Sequence, residues 1–293
     1  MNRYSEEVRV GLFRRLRAWP VARTIGIAYG SAVVLAVATV HLCSIAGWLP
    51  SDPQAVDLGA MNQLPDANHW LGTDFVGRDL LARIMVGTQA FFLPGLLSVG
   101  VSLVFGGLLG VLAGYWPSRF GTPVGLFLQL LEAIPKLVLV LLVIALFQPD
   151  IYLILLVVGI ANVPATAELL RARIAVLRQK SYIEAALALG LHPAVVILKH
   201  VLWLHGRGLL LVQATLGMAE AILIETALSY LGFGVQEPTP SWGNMVALGK
   251  DYFFRGEFWI STAPALAILI TILGLHVLGD ALLANRGARG TVH

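Results

Sequence analysis

Residues 182–203, YIEAALALGLHPAVVILKHVLW, hold the densest group of side chains suited to contacts outside an apolar core. Glu184, Ala185 and Ala186 are followed, after three residues, by Gly190, and Arg171, Arg173, Arg178 and Lys180 lie just upstream. A carboxylate early in a short helix, small residues beside it and a glycine able to end it by a left-handed turn make a helix-turn-helix surface, with His192-Pro193 starting the second helix. Such a surface between two lipid-like segments is fit to dock a partner. A second set of charges lies inside apolar runs, where charge is expensive and marks a role by default. Glu132 and Lys136 straddle Pro135 at i,i+4 spacing and can neutralise each other, the alternative being a substrate site; with Glu220 and Glu225 they are the candidate translocation-path residues. Glu220 and Glu225 have no cation within their own segment, so each must face a polar interior, a partner helix or protons.

Catalytic chemistry is harder to place. His192, His200 and His205 lack the HExxH spacing of a zinc site, and no metal is expected. Residues 243–250, GNMVALGK, resemble a phosphate loop superficially, but five residues separate the glycines where four are needed, and Asp251 follows where Ser or Thr belongs. No GxSxG nucleophile turn occurs, and no catalytic residue is assigned.

The elements that hold these residues are read from hydropathy. With 57% hydrophobic and only 13% charged residues and a mean hydropathy of +0.79, the chain is expected to be an all-α polytopic membrane protein. A span needs about 20 apolar residues, and six segments qualify: Thr24 to Trp48, Phe91 to Gly114, Val124 to Phe147, Ile151 to Leu170, Leu209 to Leu231 and Phe258 to Leu283. With the N-terminus inside, the inner segments hold fifteen Lys and Arg against four outside, which assigns both termini to the cytoplasm. The pI near 9.2 follows from that asymmetry, and no nucleic-acid partner is expected. Ala36-Val37-Ala38 resembles a signal cleavage site, but the apolar run continues to Trp48, so a retained first helix is expected.

Residues 1–23 form a basic arm expected to lie as an interfacial helix, and a Pro- and Asp-rich outer loop follows the first span. From residue 71, LGTDFVGRDLLARIMVG places Gly72, Thr73, Asp74, Gly77, Arg78 and Asp79 before an apolar face, with Thr73 as a cap and Asp74/Arg78 and Asp79/Arg83 as i,i+4 pairs of a short surface helix. Gly106, Gly110 and Gly114 clear a groove for another helix, from this chain or a partner. Asn162 with Pro164 should bend the fourth span.

The 182–203 block resembles the EAA loop of the membrane-spanning subunits of binding-protein-dependent ABC importers: EAA, three residues, Gly, nine residues, then I-x-L-P. Glu184, Ala185, Ala186, Gly190 and Leu202 match, His200 is expected of peptide-importer members, and Trp203 replaces the usual Pro. HWLGTDFVGRDLLARIMVGTQ (69–89), GGLLGVLAGY (106–115) and ETALSYLGFGVQEPTPSWGNM (225–245) are similar to the C-type permease of dipeptide, oligopeptide and nickel importers. The segment LHVLGDALLANRG departs from the family pattern, having His276 for Asn and lacking the usual R-D-x-L-D-P tail.

The resemblance implies the six-span type I importer fold, divided as 1–88 (arm, first helix and outer loop), 89–283 (transmembrane core) and 284–293 (cytoplasmic tail). It implies a multi-pass subunit of the bacterial cytoplasmic (inner) membrane that forms half of a path for peptides. The EAA loop would act as a coupling helix. Its partners would be a B-type permease, two cytoplasmic ABC ATPases and an extracytoplasmic solute-binding protein, with ATP and Mg held by the ATPases and no cofactor by this chain. A nickel or metallophore importer is the alternative within the family. An ion-coupled secondary transporter working through Glu220, Glu225 or Asp280 is the alternative from another class.

Overall fold

The computed structural model describes residues 3–147, 150–192, 195–197 and 206–287. The described residues form helices and connecting turns, with one isolated bridge between Thr73 and Asp79. The helices are α1 (Arg3–Ile45), α2 (Leu80–Gly87), α3 (Phe92–Tyr115), α4 (Thr122–Glu132), α5 (Lys136–Leu146), α6 (Ile151–Ala161), α7 (Val163–Leu177), α8 (Ser181–Ala188), α9 (Arg207–Tyr230), α10 (Trp242–Phe253) and α11 (Trp259–Gly287). Five stretches are long and apolar enough to cross a membrane, and α4 with α5 make a sixth if that bent pair counts as one span.

Two segments differ from the sequence expectation. The basic arm is no separate interfacial element: α1 runs unbroken from Arg3 to Ile45, its apolar part being Ala22–Ile45. The third span is broken, α5 leaving α4 at 71°. Pro135 causes this, since it disfavours helical geometry in the residue before it and has no N–H to donate. It stands in extended conformation (ψ 130°) as the N-cap of α5.

Small residues set the helix packing. A methyl on Gly106 would lie 2.6 Å from Thr166 Cβ, one on Gly110 2.6 Å from the Ala167 carbonyl, and one on Gly114 2.9 Å from the Arg171 carbonyl. The groove on α3 is therefore filled by α7 of the same chain. Gly30 of α1 likewise meets the backbone of α11 at Gly274, so the first and last helices close on each other. Without a hydrophobic drive between helices in lipid, such close backbone approach supplies the van der Waals contact that holds a bundle together. Around Phe91, Leu80, Ile222 and Trp242 an apolar cluster joins α2, α3, α9 and α10.

Candidate functional site

Three groups of polar residues stand out, one at each end of the bundle and one in the middle. The first is built by the 71–79 motif. Gly72 and Gly77 take positive φ (77° and 80°), and a side chain on Gly72 would strike the Gln63 carbonyl. Thr73 does not cap a helix: its hydroxyl donates to the Ala60 carbonyl and accepts the Gln63 N–H at 2.9 Å, tying the motif to the preceding loop. The cap of α2 is Asp79, whose Oδ1 accepts the Ala82 N–H at 2.7 Å while Oδ2 meets His69 Nδ1 at 2.8 Å. Asp74 folds the turn by accepting the N–H groups of Val76 and Arg78, both at 2.9 Å.

Asp74 and Arg78 do pair, at 2.7 Å. Asp79 and Arg83 do not, because Asp79 is committed to the cap. Both arginines instead reach across 150 residues and more to Glu237, Arg78 Nη1 to Oε2 at 2.6 Å and Arg83 Nη2 to Oε1 at 2.6 Å. Arg83 also donates to the Pro53 carbonyl at 3.2 Å, and its side chain is 1% exposed. Two cations thus share two carboxylates, Asp74 and Glu237, and the group is neutral. The expected short helix forms, but only as α2 (Leu80–Gly87), while the residues before it join Arg83 in a buried charge network that clamps the 231–241 loop onto it.

Other contacts hold that loop. The Trp242 ring N–H donates to the Ile84 carbonyl at 2.9 Å, and Ser241 and Asn244 form a capping box at the start of α10. The phosphate-loop-like residues 243–250 lie inside α10. Glu225, fully buried, accepts from the Ser229 hydroxyl at 2.7 Å, and that hydroxyl accepts the Val235 N–H at 3.0 Å. Glu225 Oε2 has no hydrogen-bond partner among the described residues. Glu225 is therefore an anchor beneath the same loop.

The second group lies at mid-span. The expected Glu132–Lys136 pair is absent, because the break at 133–135 destroys the i,i+4 register. Glu132 is exposed at the end of α4. Lys136 turns to α9 and α6, donating to Glu220 Oε1 and to Asn162 Oδ1, each at 2.6 Å. Asn162 marks the junction of α6 and α7, and its carbonyl accepts from Ser102 at 3.1 Å.

The third group is the 182–203 block. Gly190 has φ +84°, and Leu191 N–H bonds back to the Ala186 carbonyl at 3.2 Å, the left-handed helix end expected from the sequence. Ala186 and Ile183 are buried with Ile174, Leu177 and Val196, whereas Ala185, Leu189 and Val195 are exposed. Partial desolvation of the exposed Tyr182 pushes its phenol pKa up, against the opposing effect of Arg173. Glu184 lies in α8 with its side chain outside the described atoms, and His200, Leu202 and Trp203 lie outside the described residues. Sequence spacing missed Glu237, Ser229 and the Asn162 contact; the QEPTPSW run was the one local signal for the first.

A multi-pass helical membrane subunit is thus defined, with polar groups at both ends and in the middle. Its fold is similar to that of a chain in the inward-facing MetNI methionine ABC transporter, with a TM-score of 0.53 at 17% identity, covering 73% of this chain and 96% of that one. Residues 106–288 match the family described as binding-protein-dependent transport system inner membrane component, and the chain belongs to that family. Among its relatives are the probable D,D-dipeptide transport system permease protein DdpC of Escherichia coli K12 (35% identical, covering 85% of this chain and 84% of the relative), the di/tripeptide permease DppC of Pseudomonas aeruginosa UCBPP-PA14 (38%, 74% and 71%), and the glutathione permease GsiD of Pectobacterium atrosepticum (31%, 86% and 84%).

Proposed function

We propose that this permease subunit forms half of the translocation path of an ABC importer for short peptides. The observation that carries the substrate class is the similarity to permeases named for dipeptides, tripeptides and glutathione over most of both chains. In this reading both termini are cytoplasmic, as the Lys and Arg asymmetry argues. The 182–203 block then faces one of the two ATPase subunits, and the exposed apolar residues Leu189 and Val195 beside Gly190 form the docking edge. Glu184, Ala185, Ala186, His200 and Leu202 are assigned to the same coupling loop. The opposite end, with the 231–241 loop held by Glu237, faces the solute-binding protein. A B-type permease completes the path, and ATP with Mg is bound by the ATPases.

When the ATPases close on nucleotide, a loop seated on them is carried along, and rigid helices exchange inward-open for outward-open access. Gly190 matters because its left-handed turn fixes the exit of α8. The test is purification of the tagged chain co-expressed with its permease, ATPase and binding-protein partners, then peptide uptake in proteoliposomes. Wild type should retain the ATPases and import dipeptide. Glu184→Lys and Gly190→Val should lose ATPase recovery and uptake while the permease pair stays assembled. Transport by this chain alone would overturn the proposal.

A further inference from the structure

The mid-span group has no part in docking or in clamping the outer loop. We infer that Lys136, Glu220 and Asn162 form a subsite in the path for the zwitterionic backbone of a short peptide, Glu220 taking the ammonium end and Lys136 the carboxylate end. This rests on the peptide-importer reading.

Position is the first argument. The three residues come from three spans, and Glu220 and Asn162 each fall near the middle of theirs, Arg207–Tyr230 and Ile151–Leu177. Exposure is the second. The side chains of Lys136 and Glu220 are 38% and 33% exposed, in contrast to the sealed Arg83 and Glu225. An ion pair so open at mid-depth is expensive against lipid, so it faces a polar space. The third argument is local backbone. The α4/α5 break and the α6/α7 junction meet at this group. Interrupted helices at the bilayer midplane are where transporters place ligands, because the freed backbone groups need polar company. Pro135 gives α5 no side-chain cap, leaving first-turn N–H groups beside Lys136 to meet a carboxylate.

The chemistry balances. A peptide's ammonium replaces Lys136 Nζ at Glu220, and its carboxylate takes the released lysine, so no charge is left uncompensated. Asn162 Oδ1 keeps one acceptor on Lys136 throughout. Exchange of one ion pair for two equivalent contacts gives weak binding, as a site of passage requires: it must be entered and left.

The test uses the complete importer in proteoliposomes, with Ala-Ala as the probe and melting of the complex followed in parallel. Lys136→Met and Glu220→Gln should each lower uptake per ATP hydrolysed by about tenfold, the loss of a charge-assisted contact. Either single variant leaves one charge unpaired and could fail to fold. The neutral double variant Lys136→Met with Glu220→Met removes both charges and should fold. It should melt near wild type yet import as poorly as the singles, whereas Lys136→Arg with Glu220→Asp should retain uptake. Wild-type uptake by the neutral double variant would overturn the subsite and leave the peptide reading intact, as would loss of uptake in the conservative double variant. No Ala-Ala uptake by the wild-type complex would sink both.

Discussion

Glu237→Gln isolates the buried charge network and tests whether that network, and not apolar packing, holds the 231–241 loop. Glu237 accepts from Arg78 and Arg83, each at 2.6 Å. Without its charge, Arg78 still holds Asp74 at 2.7 Å, but the nearest approach of Arg83 to that carboxylate is 3.8 Å. One guanidinium that is 1% exposed then stands without a close counter-charge. Removing one partner of a buried pair costs about 3–5 kcal/mol. Glu237 is itself 32% exposed, so water screens part of the loss and about 2–3 kcal/mol is expected. For a chain of this size that corresponds to a fall of roughly 3–5 °C in the melting midpoint.

Melting of the full chain in nanodiscs, followed by tryptophan fluorescence, reads this, Trp242 being one of the seven reporters and donating to the Ile84 carbonyl at the foot of the loop. The decisive comparison is a double-mutant cycle. Arg83→Met with Glu237→Gln removes one charge of each sign and leaves Asp74–Arg78 intact, so the double variant should melt above Glu237→Gln alone. If the losses of the two single variants simply add, the side chains do not interact energetically and the clamp is refuted.

Three more outcomes follow from the geometry. Gly110→Val should destabilise the bundle by at least about 1–3 kcal/mol, because the first added carbon already lies 2.6 Å from the Ala167 carbonyl; Gly100→Ala, which meets nothing within 4 Å, should melt within roughly 2 °C of wild type. Ser229→Ala removes the donor to Glu225 and the acceptor of Val235 N–H together, costing about 1–3 kcal/mol and raising protease cleavage in 231–241. Asp66 accepts the backbone N–H groups of His69 and Asn68, chiefly the former, which holds its carboxyl below the usual aspartate range. A depressed pKa contributes order above the ordinary aspartate value and loses it as pH falls through the lowered one, so the protection of amides in 66–69, referenced to their intrinsic exchange rate at each pH, should fall on acidification, and Asp66→Asn should abolish that change in protection.

The features legible in the sequence are those whose cause is local. Apolar runs announce spans because lipid demands about 20 such residues in a row. The Gly106, Gly110 and Gly114 ladder announces a close helix contact, and Gly190 announces the end of α8, because each follows from one residue's size or backbone freedom. Charge pairing obeys no such rule. Spacing of i,i+4 assigns Lys136 to Glu132 and Arg83 to Asp79, yet Pro135 breaks the first register and the α2 cap takes the carboxylate of the second. Each cation then goes to the carboxylate that topology brings near: Glu220, 84 residues away, for Lys136, and Glu237, 154 residues away, for Arg83. The two errors share one physical origin and have different consequences. Where the fold seals the new pair from water, as at Arg83, its worth is to hold a loop in place. Where the fold leaves the pair half-open at mid-depth, as at Lys136, neither charge is sealed as Arg83 is.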